Sequence, residues 1–105
     1  MDTVQTQALL SDVAGTGAGA ASQGHPCTHT FYASGTTTAG AGAATILVQG
    51  SNDAEAWVTI GTISLTLATT SSGDGFTSDD RFALLRGNVS AISGTGASVS
   101  LIAGY

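Results

Sequence analysis

The 105-residue chain has no lysine, and Arg81 and Arg86 are its only side chains that are always positively charged. Charged residues make up 9% of the chain, against about 25% in ordinary globular domains. The formal net charge is −5. Binding to nucleic acid depends on clustered basic residues that neutralise phosphates, and attraction to anionic membranes has the same requirement. We therefore expect no nucleic-acid partner and no membrane partner.

Cysteine and long apolar runs are also scarce. Cys27 is the single cysteine, so a disulfide within the chain is excluded. The first residues, MDTVQ, have neither the basic nor the apolar region of a secretory signal. No run approaches the roughly 18 apolar residues of a membrane span. We expect synthesis in a cytoplasm, without export by the secretory route.

Large apolar side chains are few, although 42% of the residues are hydrophobic. The aromatic residues comprise one Trp, three Phe and two Tyr, and much of the remaining apolar content is alanine. Apolar burial stabilises a fold by about 25 cal/mol per Å². The core is therefore thin for a free monomer, and we expect a homo-oligomer, with a trimer favoured, or docking onto a partner.

Apolar and polar residues alternate with a period near two over most of the chain, which is typical of strands. Residues 28–33, 44–50, 57–60, 63–67, 82–92 and 97–103 show this pattern. We expect Ala83, Leu85, Val89 and Ala91 to share one face of their strand. The fold class is all-β, an antiparallel β-sandwich or jelly roll of about six to eight short strands in a single domain, residues 1–105. The predicted core consists of Ile46, Val48, Trp57, Ile60, Leu85, Val89, Val99 and Leu101.

Turn-forming residues separate these strands. Residues 35–42 and 93–96 are rich in glycine, and residues 51–55 (SNDAE) carry side chains that bond their own backbone. We expect residues 69–75 to form a loop. Residues 4–13 fit a helix and a strand equally well, and residues 1–24 are a candidate extended arm.

Two clusters contain residue types that bind metals. His25, Cys27 and His29 are spaced to face one side of a strand, as zinc ligands could be, but a fourth ligand is missing and Pro26 interrupts the strand. Asp74, Asp79 and Asp80 could offer oxygens to calcium. The interpretation we favour is a buried thiol beside two solvent-facing imidazoles, and solvated acids of which Asp79 or Asp80 pairs with Arg81. We expect no metal and no cofactor.

Catalytic signatures are missing from the sequence. A nucleophile needs a base and a group that orients it, whereas the two histidines lie within five residues of each other. Neither a Gly-x-Ser-x-Gly elbow nor a lysine-containing phosphate loop occurs. We expect no enzymatic activity.

Trp57 and Arg86 each allow two interpretations. Trp57 is expected to pack in the core, and the alternative is a stacking platform for a sugar ligand. Arg86 lies between apolar residues of a predicted strand. It either pairs with an acid of a neighbouring subunit or extends its guanidinium to solvent from the face of the sheet.

Residues 46–53 (ILVQGSND) with Trp57, and residues 81–89 (RFALLRGNV), resemble strands of discoidin-like jelly-roll modules. In those modules a hairpin ends in Ser-Asn-Asp and a later Trp packs in the core. The chain is shorter than a discoidin domain, and Ala54 replaces the usual glycine of the turn. The resemblance implies a glycan-adhesion module with its ligand near Asn52, Trp57 and Asp74.

Residues 34–42 (SGTTTAGAG), 51–65 and 85–100 resemble small virion proteins of tailed bacteriophages. This resemblance implies a decoration or cement protein that bridges neighbouring subunits of the major capsid protein on the capsid surface, after synthesis in the host cytoplasm. A tail or connector component is the other implied role. An extended arm could add a strand to a neighbouring subunit, so the candidate attachment residues are Val4, Gln5, Thr6, Leu9 and Leu10.

Overall fold

The computed structural model of the protein describes residues 5–25, 27–79 and 81–105, and these residues form nine β-strands. The strands are β1 (Thr6–Val13), β2 (Gly17–Ala18), β3 (Ser22–Gln23), β4 (His29–Thr36), β5 (Ala39–Ser51), β6 (Val58–Leu67), β7 (Ser72–Ser78), β8 (Leu84–Thr95) and β9 (Ser98–Gly104). No described segment forms a helix long and apolar enough to cross a membrane.

The strands form two antiparallel sheets, one in the order β1-β9-β4-β7 and one in the order β2-β8-β5-β6, with β3 also paired to β8. When β2 and β3 are counted as one interrupted strand, the sheets have the strand orders 1-8-3-6 and 2-7-4-5 of a jelly roll. The molecule is a thin plate of 40 × 36 × 17 Å. The predicted all-β sandwich is confirmed.

The core lies between the two sheets and follows the predicted alternation. Six of the eight predicted core residues are at most 1% exposed. These six are Ile46, Val48, Leu85, Val89, Val99 and Leu101. Ile60 is partly buried against the core, whereas Trp57 lies outside the core cluster and is described with the candidate site.

Residues 6–13 form an integral strand, β1, where we expected part of an extended arm. β1 pairs with β9, and its register shifts between Ala8 and Leu10. Such a bulge turns successive side chains toward the same side, so Leu9 and Leu10 are both buried, at 5% and 4% exposure. These two candidate attachment residues are core residues in this fold.

β8 departs from the predicted pattern at both ends. Leu85 and Val89 are buried as expected, but Ala83 precedes the strand and is exposed, and Ala91 is exposed as well. A register shift against β5 follows Val89 and reverses the alternation, so that Ile92 packs against the core in place of Ala91.

Two predicted connections are strands. Residues 72–75 belong to β7, where a loop was expected, because all seven residues of β7 pair with β4 and Phe76 lies against Phe31 with ring centroids 5.3 Å apart. Most of the expected turn at 35–42 also belongs to strands, with only Thr37 and Thr38 between β4 and β5.

The turn predicted at 51–55 is present and is held by its own side chains. Ser51 is 1% exposed, and its hydroxyl accepts hydrogen bonds from the backbone N–H groups of Asp53 and Ala54 at 3.2 and 3.0 Å. The Asp53 carboxylate accepts from the N–H groups of Glu55 and Ala56, both at 2.9 Å. Ala54 has a φ of 65°, the left-handed conformation that favours glycine.

Candidate functional site

His25 and His29 lie near the carboxyl-terminal Tyr105, at one end of the sandwich. The His25 ring stacks on Tyr105 with centroids 3.6 Å apart. The backbone N–H of His25 donates to His29 Nε2 at 3.3 Å. His25 Nε2 lies 3.4 Å from Gln7 Oε1, and Gln7 Nε2 donates to the Gln23 carbonyl at 2.8 Å. These contacts connect β1, β3 and the chain end.

His29 is fully buried, and its Nδ1 has no hydrogen-bond partner among the described residues. Since Nε2 accepts a hydrogen bond, the neutral ring carries its proton on Nδ1. Burial lowers the pKa of His29, the neighbouring His25 lowers it further, and the Cys27 backbone acts weakly in the opposite direction. The expectation that both imidazoles face solvent is wrong for His29, which stacks beneath Phe31 as part of the interior.

The three residues of the suggested zinc motif do not converge. The ring centroids of His25 and His29 are 6.0 Å apart, and Cys27 is a partly buried free thiol. Within residues 5–25, 27–79 and 81–105, no three His, Cys, Asp or Glu side chains are grouped to hold a metal ion.

The acidic residues suggested for calcium lie at different places along one strand. Asp74 is in β7 opposite Ala33, and Asp79 follows the end of that strand, where its carboxylate accepts a hydrogen bond from the Thr28 hydroxyl at 2.5 Å. A strand rises about 3.3 Å per residue, so the two are separated by roughly 16 Å. Asp80 lies outside the described residues.

Trp57 is partly buried, and it packs against a charge instead of the core. The guanidinium carbon of Arg86 lies 4.1 Å from the centroid of the indole ring, within the range of a cation–π interaction. Arg86 Nε also donates to Gln49 Oε1 at 2.8 Å, and Gln49 is only 8% exposed. The predicted core position of Trp57 is therefore wrong, and one face of its ring is already occupied.

A depression lined by uncharged residues lies on the outer side of the β1-β9-β4-β7 sheet. Tyr32 and Ile102 lie opposite each other in neighbouring strands and are 49% and 40% exposed. They line a depression of about 390 Å³ together with Thr6, Thr30 and Gly104. We call these five residues the Tyr32 face.

Gly73 leaves space for the aromatic ring of Tyr32. A Cβ atom on Gly73 would collide with the Tyr32 ring, so the ring lies flat over β7. Thr6, a predicted attachment residue, belongs to the Tyr32 face, and Gln5 is exposed beside it and exchanges two backbone hydrogen bonds with Tyr105. Val4 lies outside the described residues. Tyr32 and Ile102 were not predicted as site residues from the sequence. The signal for Tyr32 is the alternation of β4, in which Thr30 and Tyr32 are exposed between buried residues.

No protein-family model, no curated protein and no solved structure matches this chain.

Proposed function

We propose that the protein is a structural component of a virion that decorates and cements a bacteriophage capsid. The observation that carries this proposal is the Tyr32 face. Exposed apolar patches on soluble proteins often mark binding sites, and the centres of protein interfaces are rich in aromatic residues and poor in charge. The Tyr32 face is exposed and apolar, it contains an aromatic residue, and none of its five residues is charged.

The resemblance of residues 51–65 and 85–100 to virion proteins supports a capsid protein as the partner. Jelly rolls occur in viral capsid proteins and in lectins, so the fold is compatible with the proposal, but function depends on the site. The role is mechanical: the Tyr32 face buries apolar area against neighbouring capsid subunits and links them.

The adhesion alternative has weaker support from the geometry. A sugar-stacking site needs an open aromatic ring, whereas Arg86 covers one face of Trp57. The Asn52 side chain is occupied, because its Oδ1 accepts a hydrogen bond from the Ala83 N–H at 2.9 Å. Asp74, the third residue of that suggested site, lies in the other sheet.

The proposal is tested by co-sedimentation with capsids that lack the protein. We expect the wild type to bind and Tyr32→Lys to lose on the order of tenfold or more in affinity, because a buried unpaired charge is costly. Ser90→Lys is the control: Ser90 is exposed on β8, in the other sheet, so the variant should bind like the wild type.

Equal binding by Tyr32→Lys and wild type would show that the Tyr32 face is not the capsid interface. Absence of wild-type binding to heads, with the protein present in purified tails, would overturn the proposal and favour a tail component.

A further inference from the structure

Four edge strands of the two sheets, β1, β2, β3 and β7, have features that oppose pairing with another chain. β2 and β3 have only two residues each. β1 has two register shifts, and Asp12 within it has a φ of 49°. β7 carries Asp74 between two glycines. Short length, bulges and charge are the usual devices that protect sheet edges.

β6 has little of this protection. Its ten residues, VTIGTISLTL, contain no charged residue and no proline, and in the described part of the chain it pairs only with β5. The register shift of this pair skips Ile60, and Gly61 to Leu67 then pair without interruption. Alternate residues of this regular seven-residue segment therefore direct unpaired backbone groups to the free edge of the sheet.

We propose that β6 is a homodimer interface, at which β6 of a second copy pairs antiparallel around a two-fold axis at Ser64. Ser64 is the midpoint of the regular segment, so this register uses all seven residues. It places Ile63 opposite Leu65 of the second copy and Thr62 opposite Thr66 of that copy. The two β2-β8-β5-β6 sheets become one continuous sheet.

The pattern of side chains on β6 favours a second copy of the chain. Ile63, Leu65 and Leu67 are buried, and Thr62, Ser64 and Thr66 are exposed. Pairing about Ser64 places core-facing residues opposite core-facing residues and hydroxyl residues opposite hydroxyl residues. The apolar side chains of both copies therefore stay on the same face of the joined sheet. Each copy has a net charge of −5, but β6 contains no charged residue. Like charges on β6 therefore do not oppose its pairing with a second copy.

The inferred dimer is independent of the capsid proposal. The Tyr32 face belongs to the other sheet, so it stays exposed when β6 is paired. A two-fold β6 contact also predicts a dimer in place of the trimer expected from the sequence. A strand pair is smaller than the roughly 800 Å² per partner of a standard interface, so association should depend on concentration in the micromolar to millimolar range.

Sedimentation equilibrium of the purified full chain across that range tests the inference. The mass should rise from 10.2 kDa toward twice that value. Ser64→Lys should raise the dissociation constant on the order of tenfold or more, since it places two like charges directly opposite each other. Thr77→Lys, a matched exposed position on β7, should dimerise like the wild type.

Cross-linking gives a second readout. In a Cys27→Ser background, Ser64→Cys should form a disulfide-linked dimer on mild oxidation, because directly opposed residues of antiparallel strands have Cα atoms about 4.5–5.5 Å apart, within the range that a disulfide spans. Thr77→Cys should stay monomeric. A constant mass of one chain, a mass of three chains, or equal association of Ser64→Lys and wild type would each overturn the inference.

Discussion

Replacing Leu10 by alanine distinguishes a core strand from an attachment arm. Leu10 is 4% exposed. Its side chain lies directly over two glycines: a Cβ atom built on Gly87 would be 2.7 Å from Leu10 Cγ, and one on Gly19 would be 2.7 Å from Leu10 Cδ2. Neither glycine has a side chain that could move into the space left by the leucine. Leu10→Ala should therefore leave a cavity that the surroundings cannot fill.

The expected cost follows from that cavity. Buried leucine-to-alanine substitutions lower the free energy of unfolding by about 2–5 kcal/mol, more where the site cannot collapse. We expect about 3–4 kcal/mol for Leu10→Ala. At roughly 4 °C per kcal/mol for a domain of this size, Tm should fall by about 12–16 °C. Urea unfolding followed by Trp57 fluorescence measures the free energy of unfolding, and thermal unfolding followed by far-ultraviolet circular dichroism measures Tm.

Thr6→Ala is the control in the same strand, because Thr6 is exposed. It should change the free energy of unfolding by less than about 0.5 kcal/mol. A Leu10→Ala variant as stable as the Thr6→Ala variant would refute the reasoning and restore the picture of a detached arm.

Three further predictions concern Arg86, His29 and Ala54. Arg86→Ala should lower the free energy of unfolding by about 2 kcal/mol, since it removes the cation–π contact and leaves the buried Gln49 acceptor without its donor; a change below about 0.5 kcal/mol in urea unfolding would contradict this. Stability should fall as the pH drops below about 6.5, by at most about 1.4 kcal/mol per pH unit from this group, because the pKa of His29 is lowered by burial and the unfolded chain therefore binds more protons there. His29→Leu should remove this part of the slope, and an unchanged slope in matched unfolding series would show that another group is responsible. Ala54→Gly should raise the free energy of unfolding by about 0.5–1 kcal/mol, because the left-handed φ of 65° strains a residue that has a Cβ atom; a lower Tm for this variant would disprove the explanation.

The sequence predicts the strands whose alternation is regular. β5 contributes Ile46 and Val48 to the core and β9 contributes Val99 and Leu101, as expected, because alternate side chains are buried over residues 44–48 and 99–103. The all-β sandwich class follows from many such strands separated by turn-forming residues.

The remaining elements depend on long-range pairing, which a local pattern does not contain. β7 looks like a loop because Ser, Gly and Asp are poor strand formers, and it is a strand because β4 pairs with it and Phe76 packs against Phe31. The bulges in β1 and β8 reverse the alternation at single residues, so the burial of Leu9 and the exposure of Ala91 could not be read from periodicity.

The candidate site was predicted less completely than the fold. Thr6 and Gln5 were expected near an attachment surface, but Tyr32 and Ile102 come together only because β4 pairs with β9. Arg86 was expected to pair with an acid of a neighbouring subunit or to extend its guanidinium to solvent, whereas the guanidinium packs on the Trp57 ring of the same chain.

The most direct test of the proposed role is the number of copies that bind to capsids lacking the protein. Titration followed by sedimentation and quantification should show saturation at a copy number commensurate with the icosahedral lattice, together with greater resistance of the capsid to heat. Binding that does not saturate, or saturation without any gain in capsid stability, would contradict the account.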